Sequence, residues 1–205
     1  MLQNLVPPNT KGKPNDLEFS VTLPSTEAAS KCFDRAAKRM LNPPVWHELA
    51  GWASAHFILV GPTGKVEHRL AEEGDFLRID IPGPGPSAGT GYDWVRVEML
   101  EYHKDPDGGK EWIGMRVRPC GEPGKSGVGT AHFFQSDATS TYIIERVGEK
   151  VTAWYHGRNE VANTTTDKIL DNIRNAVVAA GALVSFSEIQ WAALSKGFLA
   201  EEIGR

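Results

Sequence analysis

Apolar and polar residues alternate along the middle of this chain, and a helical period takes over on both flanks. Leu17-Glu18-Phe19-Ser20-Val21-Thr22-Leu23 puts an apolar side chain at every second position, the period of a half-buried strand. Pro24-Ser25 then opens a helix, with Ser25 as its N-cap. Through residues 26–41 the spacing of Ala29, Phe33, Ala36, Ala37 and Met40 gathers them on one helical face. Lys31, Arg35, Lys38 and Arg39 lie mostly off that face and read as a solvated surface. Asn42-Pro43-Pro44 stops the helix, because neither proline has an N–H to donate. Val45-Trp46-His47-Glu48-Leu49 reads as one short helical turn leading through Gly51-Trp52 into the strands.

Eight strands are expected next: 54–60, 65–71, 76–81, 92–102, 112–118, 130–135, 139–147 and 151–156. Gly61-Pro62-Thr63-Gly64 turns the first into the second, and Asp105-Pro106-Asp107-Gly108-Gly109 marks a hairpin. The short connections favour antiparallel pairing. The Gly/Pro-rich stretch Pro82–Gly91 is the long loop of the set. Alternation assigns Leu77, Ile79, Ile81, Val95, Val97, Met99, Ile113, Met115 and Val117 to one aliphatic face. Arg78, Asp80, Arg96, Glu98, Arg116 and Arg118 fall on the other, where a ladder of cross-strand ion pairs is expected.

After Thr164 a helical stripe runs through Ile169, Ile173, Ala176, Val177, Ala180, Val184, Trp191, Leu194 and Phe198. One straight helix of that length would be about 52 Å long, against about 40–45 Å for the whole domain. Gly181 and the pair Ser185/Glu188 offer a break. The expected architecture is α+β. A curved antiparallel sheet of seven or eight strands packs against a long C-terminal helical segment, with an N-terminal amphipathic helix beside it. Residues 1–15, polar with three prolines, read as a flexible arm, and residues 16–205 as a single domain. Glu73-Gly74-Asp75-Phe76 and Asp93-Trp94-Val95-Arg96-Val97 also suit an SH3-like or other small β-barrel with added helices, which is the alternative fold.

Composition narrows the functions. The formal net charge is −4, which disfavours a nucleic-acid partner. No apolar run approaches the length of a membrane span. The first residues have no apolar stretch of a secretory signal, so the cytoplasm is the expected compartment, where Cys32 and Cys120 stay free thiols. Gly124-Lys125-Ser126 resembles the end of a phosphate-binding loop, but the position that needs the first glycine is Pro119. The six histidines show no zinc spacing, so neither metal nor cofactor is expected. His132-Phe133-Phe134-Gln135-Ser136-Asp137 holds the side-chain types of a hydrolytic triad, although sequence neighbours rarely take triad geometry. His132 and His156 are the candidate general bases, and no catalytic signature supports either. Trp46 and Trp52 bracket the junction of short helix and sheet, next to His56.

The order of Leu17–Pro24, Ser25–Leu41, Pro44-Val45-Trp46-His47-Glu48-Leu49, antiparallel strands and a final helix resembles the START-like helix-grip superfamily, also called SRPBCC. That resemblance implies a C-terminal helix across the concave face of the sheet and a hydrophobic ligand between them. The element order and the continuous aliphatic face lead to the first expected function, a non-enzymatic protein that binds a small apolar or amphipathic molecule, with Trp46, Trp52, His56, Met99, Met115 and Trp191 as expected contributors. Two alternatives stand beside it. One is an interaction or scaffold domain with a solid core, using the Pro82–Gly91 loop or the last helical segment. The other is a cyclase or hydrolase-type enzyme on the same fold. The oligomeric state is left open.

Overall fold

The computed structural model describes residues 2–51, 54–80, 91–125, 130–163 and 188–201. Among these, the helices are α1 (Leu2–Leu5), α2 (Thr26–Met40), α3 (Trp46–Ala50) and α4 (residues 188–199), with a 3-10 turn at Pro43–Val45. The strands are β1 (Asn15–Thr22), β2 (His56–Val60), β3 (Phe76–Asp80), β4 (Asp93–Lys104), β5 (Lys110–Pro119), β6 (Thr139–Val147) and β7 (Lys150–Arg158). They form one antiparallel sheet in the order β1-β7-β6-β5-β4-β3-β2. The protein is therefore α+β. Among the described residues the sheet is open, with β1 and β2 at opposite edges, rather than closed into the small barrel of the alternative.

Ser25 caps α2 as its position suggests: its Oγ accepts from the Ala28 N–H at 3.1 Å. The buried face of α2 is Ala29, Cys32, Phe33, Ala36 and Met40, packed against the concave side of the sheet. Arg39 departs from the expected solvated set. It is buried, and its Nη1 donates to the carbonyls of Gly197, Phe198 and Ala200. The last carbonyls of a helix have no partner of their own; a guanidinium from α2 supplies one for α4. Gly197 lets α4 approach closely, because a Cβ there would lie 2.7 Å from the Leu49 carbonyl oxygen.

Two expected strands are absent. Residues 65–71 make only a single bridge, Val66 to Val60. Arg69 turns away to clasp Asp75 with two bonds of 2.6 and 2.9 Å, which holds this stretch as a loop. Along its opposite edge β2 pairs with β3, so that Phe57 and Leu59 meet Ile79 and Leu77 on the core face. Residues 130–135 likewise form a loop, with Phe134 bridging Ala162. Side chains satisfy part of its main chain, with Asp93 Oδ1 accepting from the Phe133 N–H and His132 Nδ1 from that of Phe134, while the Ala131 and Gln135 N–H groups donate to the Cys120 and Val161 carbonyls.

A bulge changes the phase of β4. Val97 faces Val117 and Met99 faces Arg116, leaving Glu98 as the extra residue. Leu100 joins the concave core and Met99 turns to the convex side. The convex side carries the expected ion pairs, with Glu98 accepting from Arg116 Nε at 2.7 Å and Arg118 Nε at 2.9 Å. It also carries two apolar clusters, one around Leu5, Trp112 and Ile143 and one around Val60, Trp94 and Ala131.

The N-terminal stretch expected as an arm supplies the lid of the first cluster. Leu5 is fully buried over Gly114, where a Cβ would lie 2.1 Å from the leucine Cδ2. Arg116 Nη1 donates to the carbonyls of Asn4 and Leu5, at 2.7 and 3.1 Å. Truncation of Leu5 to alanine should therefore cost about 2–3 kcal/mol, the lower part of the range for buried leucines. Urea unfolding measures this directly, and a midpoint equal to that of the unchanged protein would show that the stretch contributes nothing.

Candidate functional site

The concave face carries a polar cluster at the β6–β7 end, within an otherwise aromatic interior. The register sets Ser140 opposite Gly157 and Tyr142 opposite Tyr155. Gly157 has no side chain, and the Glu160 carboxyl folds back over it: a Cβ on Gly157 would lie 2.5 Å from Glu160 Oε1. Asn159 makes that fold-back. It is the one non-glycine described residue at positive φ, 55°, a region that asparagine tolerates better than most residues. Its side-chain oxygen accepts from the Thr10 N–H at 2.8 Å, the Thr10 hydroxyl at 3.0 Å and the Lys11 N–H at 3.2 Å. Its own N–H donates to Asn9 Oδ1 at 2.8 Å. The N-terminal stretch thus braces the turn that aims Glu160.

Tyr155 OH donates to Glu160 Oε1 at 2.7 Å and lies 3.1 Å from Ser140 Oγ. Glu160 Oε2 has no hydrogen-bond partner among the described residues. Burial pushes the Glu160 carboxyl up to about 7, with the nearby Glu188 charge adding to the rise and the Tyr155 bond and Arg158 opposing it. Burial also lifts both the Tyr142 and Tyr155 phenols well above their ordinary range.

Aromatic rings surround this cluster. Trp191 stacks on Tyr155, with centroids 5.6 Å apart and planes 22° from parallel, and meets Tyr142 edge-on at 5.6 Å. Trp46 touches Phe57, Tyr142 and Phe198 at 5.0, 5.1 and 6.0 Å. These rings are in contact beneath α4. Two polar atoms on α4 are nevertheless left over: Trp191 Nε1 and, one turn on, Ser195 Oγ are buried without a partner among the described residues.

Of the expected wall, Trp46, Met115 and Trp191 lie in the concave core. Met99 is on the convex side, for the reason given by the bulge. His56 is exposed and its ring lies 4.5 Å from that of His47, away from the interior. Trp52 lies outside the described residues, as do nearly all of the Pro82–Gly91 loop and the expected break near Ser185.

Neither histidine is placed as a base for this interior. His132 is buried in the loop after β5. Desolvation drives it down to about 3, so it stays neutral, and the Phe134 N–H occupies its Nδ1 at 3.0 Å. His156 points to the convex side, where its Nδ1 meets Asp16 Oδ1 at 2.5 Å and Arg158 reaches the same oxygen at 2.7 Å. Sequence reading missed Ser140, Tyr155 and Glu160. The alternation Val151, Ala153, Tyr155 does place the tyrosine on the core face. The carboxylate beside it has no such signal, because it arrives through a turn. Among the described residues, no three His, Cys, Asp or Glu side chains gather as a metal would need, and no helix is long and apolar enough to cross a membrane.

No protein-family profile matches the chain, and no curated protein matches it in sequence. It is similar in structure to Ara h 8.0201, at 11% identity and a TM-score of 0.35, covering 89% of this chain and 99% of that one. It is similar also to norcoclaurine synthase from Thalictrum flavum, at 12% identity and 0.33, covering 93% and 96%. A third is the di-domain ARO/CYC BexL from the BE-7585A biosynthetic pathway, at 14% identity and 0.38, covering 94% of this chain and 50% of that protein.

Proposed function

We propose that the protein binds a small apolar or amphipathic molecule against the concave face, between the sheet and α4. The observation that carries this is the pair of unpartnered donors on α4, Trp191 Nε1 and Ser195 Oγ, in an aromatic interior. An unmade hydrogen bond at a buried polar atom costs about 1–3 kcal/mol. An acceptor atom on a ligand would recover that cost, while the rings of Trp191, Tyr155 and Tyr142 cover its apolar body. A few fixed polar groups in an apolar lining are the usual makeup of such sites. Because the rings touch, the ligand enters as Trp191 shifts.

Thermal-shift measurements with a panel of aromatic ketones and phenols test the reading. At least one compound should raise the melting temperature, and Trp191→Phe, which keeps a ring but loses the N–H, should weaken its binding about tenfold, the equivalent of about 1.4 kcal/mol. Native mass spectrometry of protein purified without added ligand gives a second readout. No shift with any compound, together with no retained molecule, would leave the aromatic interior as plain core.

A further inference from the structure

We propose that Glu160, aligned by Tyr155 and Ser140, is a proton acceptor for a neutral, planar carbon acid held against Trp191, so that the binding site is also a catalytic one. The inference rests on the binding reading above and adds a reaction to it. Its basis is the way the carboxyl is held. One oxygen is fixed by the Tyr155 hydroxyl at 2.7 Å. Ser140, 3.1 Å from that hydroxyl, donates to it when the tyrosine proton points at Glu160. The other oxygen carries no hydrogen bond among the described residues. A half-buried carboxylate with one oxygen anchored and one bare is arranged to take a proton. Gly157 and Asn159 hold it at this place on the concave face.

The same surroundings select the substrate class. The near-parallel rings of Trp191 and Tyr155 suit a flat, conjugated molecule. Glu160 and Glu188 together repel an anion, so the substrate is neutral. Among the described residues, the charged and titratable groups coupled to Glu160 are Tyr155 and Arg158 from β7, Tyr142 from β6 and Glu188 from α4, and Ser140 of β6 completes the hydrogen-bond chain. The carboxyl, raised by burial to about 7, is poised to change hands with a proton near neutral pH.

A carbon acid that needs no other reactant supplies the test. In 5-nitro-1,2-benzisoxazole the carboxylate takes the ring C–H proton. The C–H electron pair becomes part of a nitrile, the N–O bond breaks, and the oxygen leaves with its electrons as a coloured phenolate. The protonated Glu160 then releases its proton to solvent. The intact protein should accelerate this elimination about 10²-fold or more over Glu160→Gln, the low end of what a positioned base supplies. The rate should climb with pH and level off above about 7. Tyr155→Phe keeps the ring and should shift that inflection, while His156→Gln, on the convex face, should leave the profile unchanged. Circular dichroism checks that each variant is folded, and thermal shift with the benzisoxazole reports binding separately. Binding with equal rates in Glu160→Gln and the unchanged protein would overturn proton transfer and leave the binding reading intact. Absence of both binding and rate would overturn the two together.

Discussion

Replacing Trp46 with alanine should lower the unfolding free energy by about 3–5 kcal/mol, the range for a large aromatic removed from a core. Trp46 is only 1% exposed and stands where three rings meet, touching Phe57, Tyr142 and Phe198. Alanine would leave a cavity that those rings cannot all fill, since each is also held by other neighbours. There is a second loss. Trp46 Nε1 donates to the Arg39 carbonyl at 3.0 Å, inside the same helix turn whose guanidinium holds the end of α4. Trp46→Phe separates the two, because it keeps most of the volume and gives up the N–H; a loss of about 1–2 kcal/mol is expected from the unmade bond. Against a typical total of about 5–15 kcal/mol, the alanine change takes a large share. Urea unfolding with an unchanged slope is the measurement, and a loss under about 1 kcal/mol would mean that Trp46 is not the centre of this core.

The second large effect is on stability as a function of pH, and it comes from two neighbouring regions of loop and strand. Asp93 is 3% exposed, accepts from the Phe133 N–H at 2.8 Å, and is raised by burial to about 7. The folded protein therefore holds a proton there that the unfolded chain has released. That contribution to stability is complete below about 4 and disappears as pH rises through 7. A rise from the ordinary carboxylate range to about 7 corresponds to at most about 4 kcal/mol. His132, lowered by desolvation to about 3, works the other way. Its contribution is present above about 6.5 and is lost as pH falls towards 3. Between about 4 and 6.5 the two oppose each other. Asp93→Asn, which keeps an acceptor for Phe133, should therefore gain on the unchanged protein as pH rises from about 4 to 7. His132→Asn should lose the acid-side penalty and gain as pH falls. Unfolding free energies across that pH range decide the matter, and parallel curves for all three proteins would contradict both assignments.

How far the residues announce this fold varies from element to element. Ser25, the period of Ala29, Phe33, Ala36 and Met40, and the alternation in β1 are local signals, and local bonding honours them. The Gly61–Gly64 turn is as strong a signal, yet the hairpin it promises for β2 ends after a single bridge. A turn fixes where the chain reverses; after the Val60–Val66 bridge the Arg69–Asp75 clasp draws the returning segment away, while β2 pairs along its opposite edge with β3. Met99 continues a clean alternation from Val95 and Val97, and nothing in that pattern marks the extra residue between them. For the site, Trp46 and Trp191 are legible as large apolar residues on helices. Glu160 is not, because its position depends on a missing side chain at Gly157, a positive φ at Asn159, and bonds to residues about 150 positions away. Histidine attracts attention by type alone, while its surroundings deprive one of a proton and turn the other outward.

The kink at Glu98 has a genetic corollary. Because this carboxylate has no opposite number on the next strand, erasing its codon would bring Val97 and Met99 into step with Val117 and Arg116. Leu100 would keep its place over the oily interior, and the damage would be limited to two guanidiniums robbed of their shared anion. Erasing the codon for Leu100 instead would slide the outer half of β4 by half a pleat and offer Glu101 to that interior. Two in-frame deletions in one strand should thus separate a chain that still folds from one that does not.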